Sequence, residues 1–293
     1  MEFQPVKAED KEIIDFYFKQ MDSRHCDMSF ASVYLWKNYY PASYTICDDH
    51  LIFRGDREPV SFSYPIGSGD PAKALDAVMD YCMQQKLAPA FHCLSREQGE
   101  YLNQRYPGRF LIEYDRDDAE YIYECDKLME LRGKKYHGKK NHVNKFKKTY
   151  DWIYEEIDDR NVEECIHMLS DWRSDNEDPQ DDEMGAEVCA CRTALLERDF
   201  LGLKGGLIRA DGKVVAFTLA ERINSDTLVI HFEKAYAEIP GAYATINQEF
   251  LLHHAGDAAY VNREEDMGDP GLRKAKESYH PIFLEENGYA SLI

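Results

Sequence analysis

Two stretches of the chain gather residue types that move protons or hold anions. Val261 to Pro281 carries Asn262, Glu264, Glu265, Asp266, Arg273, Lys276 and Tyr279. A carboxylate in this stretch is able to take a proton from an amine, the guanidinium fork of Arg273 suits a phosphate or carboxylate, and the Tyr279 hydroxyl can protonate a leaving oxygen. Each has a plainer alternative. Asp266 ahead of Gly268 fits a turn or helix cap, Lys276 fits a solvent-facing lysine on an amphipathic helix, and Tyr279, two residues before Pro281, fits the core. The second stretch, Arg132 to Lys148, holds eight Lys or Arg, two histidines and no acid. Lys135, Lys139, Lys140, Asn141, His142 and Asn144 make a cradle there for a polyanion. The alternative is a solvated helix paired with the acidic stretch that follows, for Glu155 to Glu187 contains fourteen acids against Arg160 and Arg173.

Other eye-catching residues point less clearly. His231 and Glu233 alternate on one strand and share a face, which fits either a line into a cleft or a packed, hydrogen-bonded pair. His253 and His254 close a helix, where imidazolium meets the negative end of the dipole. Metal ligation needs further ligands that this spacing does not supply, and no metal site is expected. The eight cysteines (Cys26, Cys47, Cys82, Cys93, Cys125, Cys165, Cys189 and Cys191) include no CxxC pair, so zinc-ribbon and thioredoxin-type signatures are absent and reduced, packed thiols are expected.

The 293 residues carry 35 basic and 55 acidic side chains, a net charge of −20, which disfavours DNA coating by phosphate neutralisation. No run of about 20 apolar residues is present, so no transmembrane segment is expected. The opening Met1-Glu2-Phe3-Gln4-Pro5 lacks a basic and an apolar leader region, and a cytoplasmic location is the expectation.

The elements that must carry these residues recur in one order. In the second half, Leu203 to Ala210, Lys213 to Ile223 and Thr227 to Lys234 read as antiparallel strands turning at Asp211-Gly212 and Asn224-Ser225-Asp226. A helix follows Pro240-Gly241, then a short strand from Ala258 to Val261, a helix from Pro270 to about Ser278, and strand and turn character from Pro281 to Ile293. In the first half, strands at 42–47, 51–54 and 60–64 precede a helix from Pro71 to Lys86. A strand at 89–93, a helix after Ser95, and strands at 110–114 and 120–125 follow. The order β-β-β-α-β-α-β therefore occurs twice. It divides the chain into domains at 1–125 and 126–293, the latter including a basic linking helix at 132–150 with an apolar stripe of Tyr136, Val143, Phe146 and Tyr150. Arg173 to Glu183 reads as a solvated loop between two helices. The cluster Tyr34, Trp36, Tyr39 and Tyr40 reads first as core.

Leu131-Arg132-Gly133-Lys134-Lys135-Tyr136-His137-Gly138-Lys139-Lys140-Asn141-His142-Val143-Asn144-Lys145-Phe146 resembles the basic signature of bacterial proteins related to the C-terminal domain of phosphatidylglycerol lysyltransferase. Val261 to Gly268, running into Gly271-Leu272-Arg273-Lys274-Ala275-Lys276-Glu277-Ser278-Tyr279-His280-Pro281, resembles the same family, and its Gly-Leu-x-x-x-Lys core is similar to the closing motif of Fem-type peptidoglycan aminoacyl transferases. The resemblance spans essentially the whole chain. It implies an α/β (α+β) fold of two tandem GNAT-like acyltransferase domains, each a mixed, mostly antiparallel sheet flanked by helices.

For function, the resemblance implies transfer of an aminoacyl group from aminoacyl-tRNA to an amine or hydroxyl acceptor, with no resident cofactor. The acceptor could be a small molecule, a peptide or a lipid headgroup. The lipid-modifying relatives carry a large membrane-spanning portion that this sequence lacks. In the Fem-type motif the lysine matching Lys276 sits in the active channel and offsets negative charge, which makes Lys276, with Asp266, Asn262 and Tyr279, the catalytic candidates. Arg273 and the basic segment become the substrate-binding candidates. The donor would sit at Gly241, Ala242, Tyr243 and Ala244, a helix N-terminus whose backbone N–H groups can face an anion. The full Gly-rich loop of an acyl-CoA-dependent N-acyltransferase is missing there, and that activity stands as the alternative, beside a non-catalytic binding module with the same fold.

Overall fold

The computed structural model describes residues 1–176 and 182–293. By its contacts the chain forms two units: Met1–Glu120 with Glu265–Asp269 and Leu284–Ile293, and Tyr121–Glu264 with Pro270–Phe283. Elements of the first half are β1 (Gln4–Pro5), α1 (Lys11–Met21), α2 (Phe30–Trp36), β2 (Ala42–Cys47), β3 (His50–Gly55), β4 (Ser61–Ser63), α3 (Ala72–Gln85), β5 (Ala90–Leu94), α4 (Arg96–Arg105) and β6 (Phe110–Tyr114). Then come β7 (Glu120–Glu124), α5 (Cys125–Glu130), α6 (His137–Thr149), β8 (Trp152–Glu156), α7 (Val162–Asn176), α8 (Asp182–Leu196) and α9 (Arg198–Leu201). The chain continues through β9 (Lys204–Ala210), β10 (Lys213–Arg222), β11 (Thr227–Ala235), α10 (Ala242–His254), β12 (Tyr260–Asn262), α11 (Pro270–Glu277), β13 (Phe283–Glu285) and β14 (Gly288–Leu292).

The first sheet has the order β1-β2-β3-β4-β5-β14-β6 and the second β13-β7-β12-β11-β10-β9-β8. Each contains one parallel pair among the pairings described, β4 with β5 and β11 with β12, and the other described pairings are antiparallel. The expected β-β-β-α-β-α-β order is present twice, as β2-β3-β4-α3-β5-α4-β6 and β9-β10-β11-α10-β12-α11-β13. Its turns follow local chemistry. Asp211 and Gly212 take φ of 49° and 85° between paired Ala210 and Lys213, the left-handed pair a two-residue hairpin needs.

The path differs from two consecutive halves in one respect. β14 lies between β5 and β6, and β7 lies between β12 and β13, so each sheet receives in the same slot the strand that closes the other half of the sequence. Strand pairing is non-local, and periodicity within a strand does not say which sheet it joins.

In the first unit α3 buries Ala74, Leu75, Val78 and Cys82 against Phe62, Phe91, Leu94 and Phe110. Such side chains contribute about 1.5–3 kcal/mol each when large and fully buried. In the second, Phe146 of α6 and Ala242 and Ile246 of α10 pack on Ile208, Val215 and Ala216. A second patch joins Tyr136, Val143 and Ala244. The apolar stripe of the basic helix is thus its docking face, as its spacing implies.

Two expectations are corrected. Arg173 to Glu183 is not a loop throughout, because α7 runs to Asn176 and α8 starts at Asp182; its middle, 177–181, lies outside the described residues. The aromatic cluster is not core: Tyr34, Trp36 and Tyr39 are half-buried and Tyr40 is exposed. Phe30, Ala31 and Leu35 supply the buried face of α2, while Lys37 stacks on Tyr34, and Arg57 on Tyr39 and Tyr40.

Candidate functional site

Within the second unit, β11 and β12 pair at Thr227 with Tyr260, Leu228 with Val261 and Val229 with Asn262, and pair no further. β12 stops there while β11 continues to Ala235, so the sheet opens beyond Val229 and Asn262. The residues flanking this split form one connected cluster.

Asn262 is fully buried, and its Oδ1 accepts the Glu264 amide at 2.7 Å, a turn that holds Glu264 at φ 56°. The intervening residue, Arg263, donates from Nη2 to Glu233 Oε1 at 2.8 Å, with side chains 13% and 8% exposed. Asn247 of α10 donates from Nδ2 to the other Glu233 oxygen at 2.9 Å. Among the described residues, Arg263 Nη1 is buried without a hydrogen-bond partner.

Lys276 does not face solvent: it is 8% exposed, and its Nζ donates to the Arg263 carbonyl at 2.6 Å. Tyr123 donates its hydroxyl to the Lys276 carbonyl at 2.8 Å. The ring of Tyr279 lies edge-on to Tyr123, with the Arg263 guanidinium 4.7 Å and the Lys139 ammonium 3.8 Å from its centre. Burial pushes the Tyr279 hydroxyl up to about 12, against the opposing pull of Arg263. Burial, then the nearby Arg263 charge, lowers the Lys139 ammonium to about 8, with Glu233 acting the other way.

Deeper on β11, His231 is held between Glu264, 2.9 Å from Nδ1, and Glu221, 2.9 Å from Nε2. Burial alone would lower its pKa, but the hydrogen bonds to the two carboxylates outweigh that and raise it to about 10. The ring is therefore a charged, hydrogen-bonded tie.

The structure brings Asn262, Lys276 and Tyr279 into one neighbourhood with Lys139. Asp266 belongs to the first unit, where it pairs with Arg116 at 3.3 Å and accepts the Gly268 amide at 3.0 Å, the turn role already open to it. Arg273 is half-buried on α11. Lys135, Lys140, Asn141, His142 and Asn144 are exposed along α6 and the turn before it. Among the described residues none of Lys134, Lys135, Lys140, Lys145 and Lys148 has an ion pair, whereas Lys147 pairs with Glu249. The acidic stretch is engaged elsewhere, Glu155 and Glu164 with Arg209 and Glu187 with Lys234.

At the N-terminus of α10, Gly241 has φ 93°, and a Cβ there would lie 2.6 Å from the His142 carbonyl oxygen. The backbone of α6 thus covers this turn and presents an acceptor to it. Ala242 and Ala244 are buried and Tyr243 is 38% exposed. The histidines that close α10 make local contacts: His253 Nδ1 bonds the Glu249 carbonyl and its ring stacks on Tyr154, while burial lowers the pKa of His254.

Sequence reasoning missed Arg263, Asn247 and Tyr123. Arg263 had one available signal, being the lone cation ahead of Glu264, Glu265 and Asp266. In the first unit, Cys26, Asp27 and Glu120 have ligand atoms within 4.8 Å of one another. Glu120 there is engaged by the His25 ring and the Cys26 amide, and Asp27 by the Cys93 thiol.

Residues 18–288 match the family described as phosphatidylglycerol lysyltransferase, C-terminal. A conserved protein of unknown function from Bacteroides thetaiotaomicron VPI-5482 superposes with a TM-score of 0.95 at 35% identity, over 100% of both chains. The C-terminal domain of a putative lysylphosphatidylglycerol synthetase from Agrobacterium fabrum gives 0.69 at 15% identity, over 97% of this chain and 91% of that one. FemX gives 0.66 at 10% identity, over 100% and 98%. An uncharacterized protein of Mycoplasmoides gallisepticum is 26% identical over 193 residues, 63% of this chain, and the match spans 59% of that relative's length. No helix among the described residues is long and apolar enough to cross a membrane. The chain belongs to the phosphatidylglycerol lysyltransferase C-terminal family and folds as two tandem GNAT-like units.

Proposed function

We propose that this protein is an aminoacyltransferase that moves an aminoacyl group from aminoacyl-tRNA to an amine or hydroxyl acceptor, with the reacting centre at the β11–β12 split. The observation that carries this reading is Arg263 Nη1, a buried cationic N–H donor with no partner among the described residues. It is held by Glu233 on one side, while Lys276 holds its carbonyl on the other. A fixed donor of this kind suits the oxygen of an acyl ester, on which charge builds as the acceptor attacks. Lys276, by bonding the Arg263 carbonyl, acts as a positioning residue, and so does Asn262 through its turn. Tyr279, kept protonated through the neutral range, would offer its hydroxyl as a hydrogen bond to the departing oxygen without giving up the proton.

The exposed, unpaired lysines of α6 support a polyanionic donor, with Lys135, Lys140, Asn141, His142 and Asn144 along the acceptor stem and Arg273 nearer the reacting end.

The test is transfer of a radiolabelled amino acid from charged tRNA onto acceptors in a cell lysate, extracted separately as small-molecule, peptide and lipid fractions. Arg263→Gln should lower the rate about 100- to 1,000-fold, as expected for one oxyanion donor. Stabilisation against heat by acetyl-CoA, with no label moved from tRNA, would instead favour the acyl-CoA enzyme. Neither response would favour a binding module.

A further inference from the structure

We propose that the Lys139 side chain takes the proton from the acceptor and delivers it to the departing ribose oxygen, which makes it a catalytic residue and not one more cation of the α6 cradle. The inference rests on the aminoacyl-transfer reading above and follows from what every other titratable group of the cluster is already doing. Both Glu233 oxygens are engaged, one by Arg263 and one by Asn247. Both His231 nitrogens are engaged, by Glu264 and Glu221. Lys276 Nζ is bonded to the Arg263 carbonyl, and the Tyr279 hydroxyl, at about 12, holds its proton.

Lys139 alone has neither a hydrogen bond nor an ion pair among the described residues; its ammonium rests on the face of the Tyr279 ring at 3.8 Å. The charged groups that act on it are Arg263, which follows β12, and Glu233 on β11. Glu233 is bonded to Arg263, and its pull on the lysine does not offset burial and the Arg263 charge. Half-burial, and then the nearby guanidinium, disfavour a second positive charge, and the amine falls to about 8. An amine titrating there is partly free base at neutral pH and is matched to both halves of the transfer.

The step balances. The acceptor nitrogen or oxygen forms a bond to the acyl carbon, and the bond from that carbon to the ribose oxygen breaks. The acceptor's proton passes to Lys139 Nζ and from there to the ribose oxygen. The lysine ends neutral, as it began, and nothing is oxidised or reduced.

Two measurements on the full chain test this. Competitive labelling with limiting acetic anhydride across pH, read by peptide mass spectrometry, should show Lys139 titrating near 8; titration in the ordinary lysine range, at about 10 or above, overturns the proposal whatever the activity. Lys139→Arg keeps the cation but cannot give up a proton near neutrality. It should bind tRNA on filters as the unmodified protein does, lose about 100-fold or more in single-turnover transfer, and lose the inflection near pH 8 in the rate profile. If Lys139→Arg binds and transfers like the unmodified protein, only the charge matters and the proposal falls while the transfer reading stands. If the unmodified protein moves no label to any acceptor, the transfer reading falls and takes the proposal with it.

Discussion

Replacing Arg263 by methionine keeps much of the side chain's volume and removes its charge, which isolates what the Glu233 carboxylate needs. Glu233 is 8% exposed and 2.8 Å from the guanidinium, so the variant leaves a carboxylate in poor solvent. Breaking a buried pair from one side costs about 3–5 kcal/mol. Asn247 still donates to the other carboxylate oxygen, and a hydrogen bond to a charged group contributes about 1.5–3 kcal/mol, so the expected loss lies near the bottom of that range, about 3 kcal/mol. Against a total stability of about 5–15 kcal/mol this is readily measured. Urea unfolding followed by tryptophan fluorescence is suitable because Trp152 and Trp172 both lie in the unit that holds the pair. The double variant Arg263→Met/Glu233→Gln removes the stranded charge and keeps an acceptor for Asn247, and it should return to within about 1 kcal/mol of the unmodified protein. A single variant as stable as the parent, or a double variant no better than the single, would refute the claim that Arg263 is held in place by Glu233.

Gly241→Ala should cost about 1–3 kcal/mol, seen as a lowered melting temperature, because the added carbon meets the His142 carbonyl at 2.6 Å from a left-handed backbone. His231, at about 10 when folded against an ordinary value of 6.5, binds its proton more tightly in the native state. Its contribution is therefore complete below pH 6.5 and declines as pH rises to about 10. His231→Gln should lower the urea midpoint at pH 6 and close the gap to the parent by pH 10. Lys135→Ala and Lys140→Ala should each weaken tRNA binding and reduce the slope of log affinity on log salt by about 0.7–0.9 for every phosphate left without its cation; unchanged slopes would remove those lysines from the donor surface.

What could be read from the residues was what local chemistry determines. The strands β9 to β11 alternate cleanly and turn at Asp211-Gly212, where the required left-handed φ values occur, so their bounds fall within a residue or two of expectation. The stripe of Tyr136, Val143 and Phe146 foretold which face of α6 is buried. The cluster itself was only partly legible. Lys276 and Tyr279 stood out through a motif, but Arg263 and Glu233 are 30 residues apart in sequence, one on β11 and one just past β12, and meet only where those strands part. Lys139 could not be told from Lys140 by type or spacing, since what separates them is the Tyr279 ring beneath one and open water around the other. The aromatic run after Ser29 misled because hydrophobicity alone does not say which face of a short helix the core will take.

The placement of β14 between β5 and β6 bears on how such a chain must be made. Both neighbours of that slot emerge from the ribosome early, yet the strand that bonds to each of them spans Gly288–Leu292, among the last residues of this sequence. At about 5–20 residues per second, roughly 10–35 seconds of synthesis pass with two sheet edges open. Unpaired edges of this kind are templates for wrong partners. A fragment ending at residue 125 would keep that gap permanently, so dissecting this protein by cutting between its halves should yield an aggregating species, not a working piece.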